Sequence, residues 1–114
     1  TRFGKQEPRQ PERSAVADEV RFSKDAAADL SSIASYTADR FGSEQELRYR
    51  DGLRRAMDML VTFPAMGADQ SHIATGLRRH VHESHAIFYS RHSYGLLVER
   101  ILGPGQDPAR EFKS

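Results

Sequence analysis

Residues Ser23–Pro64 read SKDAAADLSSIASYTADRFGSEQELRYRDGLRRAMDMLVTFP, and their spacing predicts two helices with almost no joint between them. Ser23 is placed to cap the first, with Asp25 in the first turn where an acid complements the helix dipole. Ala26, Leu30, Ile33, Ala34, Thr37 and Phe41 then recur at steps of three and four, while Asp29, Ser32 and Asp39 lie off that stripe. Gly42 follows the last periodic residue and can end the helix in a left-handed conformation. Ser43-Glu44-Gln45-Glu46 has the form of a capping box. Tyr49, Leu53, Ala56, Met57, Leu60 and Phe63 continue at helical spacing until Pro64 stops the run. Helices joined so tightly must fold back as an antiparallel hairpin. Neither would persist alone in water, so the pair needs a surface to pack on.

That surface is expected from the C-terminal half. After a loop over Pro64–Gly76 come three strand-like runs, Leu77–His82, His85–Ser90 and Leu96–Leu102, separated by Glu83-Ser84 and His92–Gly95. Such short connections give an antiparallel meander. Val20-Arg21-Phe22 reads as a first strand joining it at one side, and Asp107-Pro108 as the start of a terminal helical turn. The expected fold is α+β: an N-terminal strand and an antiparallel helical hairpin packed on a small antiparallel sheet. Residues 20–114 form the domain. Thr1–Glu19, whose four basic and four acidic residues cancel, is expected to be a flexible N-terminal arm or appended residues.

Composition removes several function classes. The 114 residues are 38% hydrophobic, enough for one modest core, and carry a net charge of +1, too little for a general polyanion binder. No run approaches the roughly 18 apolar residues of a membrane helix. Nothing near the N-terminus has signal-peptide form, so a cytoplasmic location is expected. Cysteine is absent, which removes disulfides and thiolate metal sites. Five histidines invite a zinc reading, but the strand pattern puts Glu83 opposite His80 and His82; neither metal nor cofactor is expected. P-loop, nucleophile-elbow and dinucleotide motifs are missing. Among the 17 basic residues only Lys5, Lys24 and Lys113 are lysine. Arginine forks suit carboxylates, phosphates and protein interfaces, although an arginine-rich codon bias would give the same count.

Arg78, Arg79, His80, His82, Tyr89, Arg91, His92 and Arg100 fall on or beside the strands. Period two points Arg78, His80 and His82 one way, and a sheet covered by helices on one face leaves the other open. Such a face can bind phosphate, stack on bases or dock an acidic peptide; an ordinary solvated face is the plain alternative.

The ordered set Ala27-x-Asp29-Leu30 with Ile33 and Tyr36, Phe41-Gly42, Phe63-Pro64-x-Met66-Gly67, Gly76-Leu77-Arg78, Ile87-Phe88-Tyr89, Arg100-Ile101-Leu102 and Asp107-Pro108 resembles the RelE/ParE toxin superfamily, the ParE branch most closely. The resemblance implies the toxin of a bacterial type II toxin–antitoxin system, serving plasmid or chromosome stabilisation through growth arrest. It implies neutralisation by a ParD-like antitoxin and inhibition of DNA gyrase, with no sequence-specific DNA binding by this chain alone. Candidate target- or antitoxin-binding residues are Arg78, Arg79, His82, Tyr89, Arg91 and Arg100. RelE-like relatives instead cut messenger RNA on the ribosome. In that alternative Arg78, Arg79, Tyr89 and Arg100 would stabilise charge, with His82 or His92 as base. Two departures favour a binding inhibitor over an enzyme: Gly103 stands where many members have histidine, and Gly105–Ser114 lacks His and Tyr. A relative that only binds its antitoxin is the third reading.

Overall fold

A computed structural model describes residues 18–113; the expected N-terminal arm therefore lies almost wholly outside the described residues. The elements run β1 (Glu19–Phe22), α1 (Lys24–Phe41), α2 (Ser43–Thr62), β2 (Ala68–Asp69), β3 (Arg78–His82), β4 (His85–His92), β5 (Gly95–Leu102) and α3 (Pro108–Glu111). The five strands form one sheet in the order β1-β5-β4-β3-β2. The α+β architecture is as expected, with three differences. β1 pairs parallel to β5, so the sheet is mixed. β2 pairs Ala68 and Asp69 with Arg79 and Arg78 inside the segment expected as loop. The turn after β4 is shorter than expected, because His92 and Gly95 are themselves cross-strand partners.

Ser23 caps α1 by accepting from the Ala26 N–H at 3.0 Å, and its hydroxyl donates to the Glu99 carbonyl at 2.8 Å. One side chain thus starts the helix and ties it to β5. The expected capping box does not form. Gly42 is both the last cap of α1 and the first of α2, at φ 93° and ψ 163°, and no side chain caps α2. With a one-residue joint Ser43 is already helical. Glu46 turns instead to Arg50, one turn on, through bonds of 2.8 and 3.0 Å. Gly42 has positive φ but an extended ψ, not the left-handed helical value.

The main core lies between the hairpin and one sheet face. Ala26 of α1 and Leu53, Ala56, Met57 and Leu60 of α2 meet Ile87, Tyr89, Leu96, Val98 and Ile101. Each fully buried Leu, Ile, Val or Met among them contributes on the order of 1.5–3 kcal/mol. The other sheet face is partly closed by a second cluster, Leu77, Phe88 and Leu102, against Ile73, Ala74 and Phe112. The Phe88 and Phe112 ring centroids are 5.4 Å apart, so the C-terminal turn is packed on the sheet.

An irregularity in the β4–β5 register shifts the partners from Phe88↔Arg100 to Tyr89↔Val98. The extra residue lets Val98 and Ile101 both face the core although three positions apart. It also leaves backbone groups beyond the end of β1, and α1 supplies their partners. Asp29 accepts the Ile101 N–H at 2.9 Å and holds Arg100 through two bonds of 2.8 and 2.9 Å. Asp29 is therefore not the outward residue its place off the apolar stripe suggests.

Candidate functional site

Two clefts on the helical hairpin share Leu30, Arg50 and Leu53 in their linings. One runs between α1 and α2 past Ile33, Ala34 and Thr37. The second, about 450 Å³, lies between α2 and β1 and has Val20, Phe22, Leu30, Leu53 and Met57 as its apolar lining. Phe22 remains 39% exposed at its mouth. Polar groups stand along the rim: Arg50, Arg54, Asp18 and Asp58. The buried Glu46 is neutralised by Arg50, with an oxygen 2.8 Å from the guanidinium, so the groove floor carries no unpaired acid. An apolar trough with charges of both signs at its edge, Arg50 and Arg54 being paired with Glu46 and Asp51, fits the apolar stripe of an amphipathic helix.

The six residues expected to carry the site do not share one surface. The Tyr89 side chain is fully buried; its hydroxyl donates to the Pro64 carbonyl at 2.8 Å and accepts from the Gly67 N–H at 2.9 Å. Burial pushes the phenol upward from its ordinary value. Arg78, its cross-strand partner, donates to the Gly67 carbonyl at 2.6 Å and to Ala65 at 3.3 Å. Together they brace the turn after α2. A Cβ on Gly67 would collide with the Tyr89 ring and the Arg79 carbonyl, so only glycine permits that approach. Arg100 is held by Asp29 and, at 3.1 Å, by Glu111. Its hydrogen bonds to Asp29 raise its pKa well above the usual guanidinium value.

His82 lies under α2, its ring 5.5 Å from that of Tyr49. The Tyr49 hydroxyl donates to the His82 carbonyl at 3.4 Å and meets His85 Nδ1 in a short bond. Burial, with Glu83 adding to it, pushes the Tyr49 phenol up to about 12. Burial, and then the neighbouring His82, lowers His80 and His85. His82 Nε2 is buried without a hydrogen-bond partner, a Glu83 carboxylate oxygen lying 3.7 Å away. Arg78, His80 and His82 thus face the helix side of the sheet, against the expectation of an open face; His80 and His82 line a cleft with Arg48 and Arg55. Only Arg79 and Arg91 stay exposed, Arg79 on the opposite sheet face and Arg91 near the end of β4. Among the described residues no group of three or more His, Asp or Glu could hold a metal ion, and no helix is long and apolar enough to cross a membrane.

A thin core and a hairpin with exposed flanks lead one to expect an apolar groove for an amphipathic segment; its place could not be read from the sequence, because its lining residues also read as core. The available signal was an excess of apolar positions, Phe22 among them, over what one small sheet can cover.

The sequence matches the family described as "ParE toxin of type II toxin-antitoxin system, parDE" over residues 20–108. It is 36% identical over 81 residues to Toxin ParE1 of Caulobacter vibrioides, covering 71% of this chain and 81% of that protein. The fold superposes with a TM-score of 0.65 on a chain of the solved chromosomal ParDE TA system from P. aeruginosa, at 19% identity, covering 78% of this chain and 98% of that one. This chain belongs to the ParE toxin family of type II toxin–antitoxin systems.

Proposed function

We propose that this toxin is neutralised by a ParD-like antitoxin seated in the α1–α2–β1 groove, and that the free toxin acts in the cytoplasm by binding and inhibiting DNA gyrase, without catalysis. The groove carries the first half of this reading: a largely apolar trough rimmed by both arginine and aspartate suits an amphipathic segment better than a compact metabolite.

The engaged state of the arginines supports the second half. A ribonuclease must present cations and a base to a phosphate and its neighbouring hydroxyl. Here Arg78 is committed to carbonyls of the turn, Arg100 to two carboxylates and Tyr89 to the backbone. His82 lies beneath Tyr49. These four are engaged in holding the fold, which leaves only Arg79 and His92 of the ribonuclease set exposed.

A supercoiling assay with purified gyrase, run beside a translation reaction with a labelled transcript, separates the readings. Inhibited supercoiling with intact transcript is the expected result. Cut transcript with active gyrase would select the ribonuclease. Both activities untouched, with the antitoxin still bound, would select a relative that only binds its antitoxin.

A further inference from the structure

Where the β4–β5 turn meets β1, a ladder of planar groups is assembled. The His92 and Tyr94 rings stack with centroids 5.3 Å apart and planes 4° from parallel. The Arg21 guanidinium lies 3.8 Å from the Tyr94 ring centroid. Every rung is separately fixed. Glu19 holds Arg21 at 2.9 and 3.3 Å. The Tyr94 carbonyl accepts from the Glu19 N–H at 2.9 Å, and buried Ser90 bonds His92 Nε2 at 2.8 Å. Gly95 permits this contact between β1 and the hairpin: a Cβ there would strike the Glu19 backbone.

His92 also walls a crevice of about 150 Å³ whose other side is the end of α2, with Val61, Thr62 and Pro64. Arg91 stands at the same crevice. It is exposed, and none of the ion pairs among the described residues uses it.

We infer that this crevice takes an unpaired nucleobase, stacked against His92, with the adjoining phosphate on Arg91. A pre-ordered ring wall suits a flat aromatic guest, because little side-chain entropy remains to be lost on binding. Cation and aromatic groups side by side are the elements of sequence-tolerant single-strand binding. An acidic peptide would use Arg91 but has no need of a stacked imidazole. A base inside a duplex cannot offer its face, so the ligand is single-stranded. The crevice shares no lining residue with the antitoxin groove and goes beyond the gyrase reading, so either can fail alone.

Fluorescence anisotropy of the full-length chain with short labelled oligo-dA and oligo-rA tests this, with an abasic strand and a duplex of equal length as controls. Both base-bearing strands are expected to bind more tightly than the abasic strand. His92→Ala should weaken binding about tenfold, within the range for loss of one stacked base, and His92→Phe should retain it. Arg91→Ala should lower the slope of log affinity against log salt by about 0.7, the value for one phosphate on a single strand. Arg110→Ala, an exposed cation in α3, should change neither. Melting temperatures confirm that each variant is folded. Equal binding of the abasic strand, equal binding of duplex, no effect of His92→Ala, or no binding at all would overturn the proposal; selective binding of only the DNA or only the RNA strand would uphold it and name its source.

Discussion

Replacing Asp29 by alanine removes the acceptor of three bonds at once, two from Arg100 and one from the Ile101 N–H. The pair is nearly dry, with side chains 14% and 13% exposed. Breaking such a pair from one side costs about 3–5 kcal/mol, because a buried charge is left behind. Glu111, at 3.1 Å, keeps part of the Arg100 charge compensated, which favours the lower end. The orphaned Ile101 N–H adds to the loss, in the range of about 1–3 kcal/mol. These terms overlap, and the expected total is about 3–4 kcal/mol. A domain of this size, with total stability of about 5–15 kcal/mol, would lose a large share of it. Melting should fall by roughly 12–32 °C at 4–8 °C per kcal/mol. Urea denaturation followed by circular dichroism should show the same loss as a lower midpoint with unchanged slope. The double variant Asp29→Leu with Arg100→Met removes both charges and should recover the part of the loss due to the stranded charge, since apolar replacements of buried pairs are often neutral or better, while the orphaned Ile101 N–H keeps its cost of about 1–3 kcal/mol. A cost under about 1 kcal/mol for Asp29→Ala would place the pair among weak surface bridges and refute its role as the tie between α1 and β5.

Tyr89→Phe leaves the Pro64 carbonyl and the Gly67 N–H without their shared partner, and should cost about 1–3 kcal/mol by chemical denaturation. Gly52 lies inside α2, where alanine would gain about 1 kcal/mol of helix propensity, but its Cβ would come within 3.0 Å of His82 Nε2. Gly52→Ala should therefore stabilise by about that amount only on a His82→Ala background, and a double-mutant cycle should read the difference as coupling. The depressed pKa of His85 gives a pH signature. Its contribution is fully present above the unfolded value of about 6.5 and is lost as pH falls through the lower folded value, because the unfolded chain then binds the proton more readily. Melting temperature should drop on acidification from pH 7.5 towards pH 5, and His85→Gln should flatten that drop.

The hairpin and the meander are legible in the sequence because each rests on a local signal. The apolar positions of α1 and α2 recur at helical steps, and Glu83-Ser84 is too short for anything but a hairpin turn. What was not legible depends on distant partners. A four-residue strand such as β1 has no local mark of parallel pairing, and two-residue β2 exists only because Arg78 and Arg79 lie opposite it. Period two correctly put Arg78, His80 and His82 on one side but could not say which side the helices cover. Arg100 was misplaced for another reason: the irregularity in β5 breaks period two next to it. Its acid, Asp29, sits 71 residues away. The groove is invisible to periodicity, since exposed Phe22 and buried Leu53 carry the same apolar signature.

Calorimetric titration of the toxin with its ParD-like partner, comparing wild type with Phe22→Glu, tests the groove assignment most directly. Phe22 is already 39% exposed, so the substitution should leave the fold intact, and an unchanged melting temperature of the free toxin checks this. A charge placed in an apolar contact should weaken antitoxin binding by at least tenfold, the scale of an interface anchor at about 2 kcal/mol. The variant should also lose part of the stabilisation the antitoxin confers, about 2.7 kcal/mol at a hundredfold excess over Kd for the wild type. Undiminished affinity in a folded Phe22→Glu toxin would contradict the assignment and move the antitoxin's seat elsewhere on the molecule.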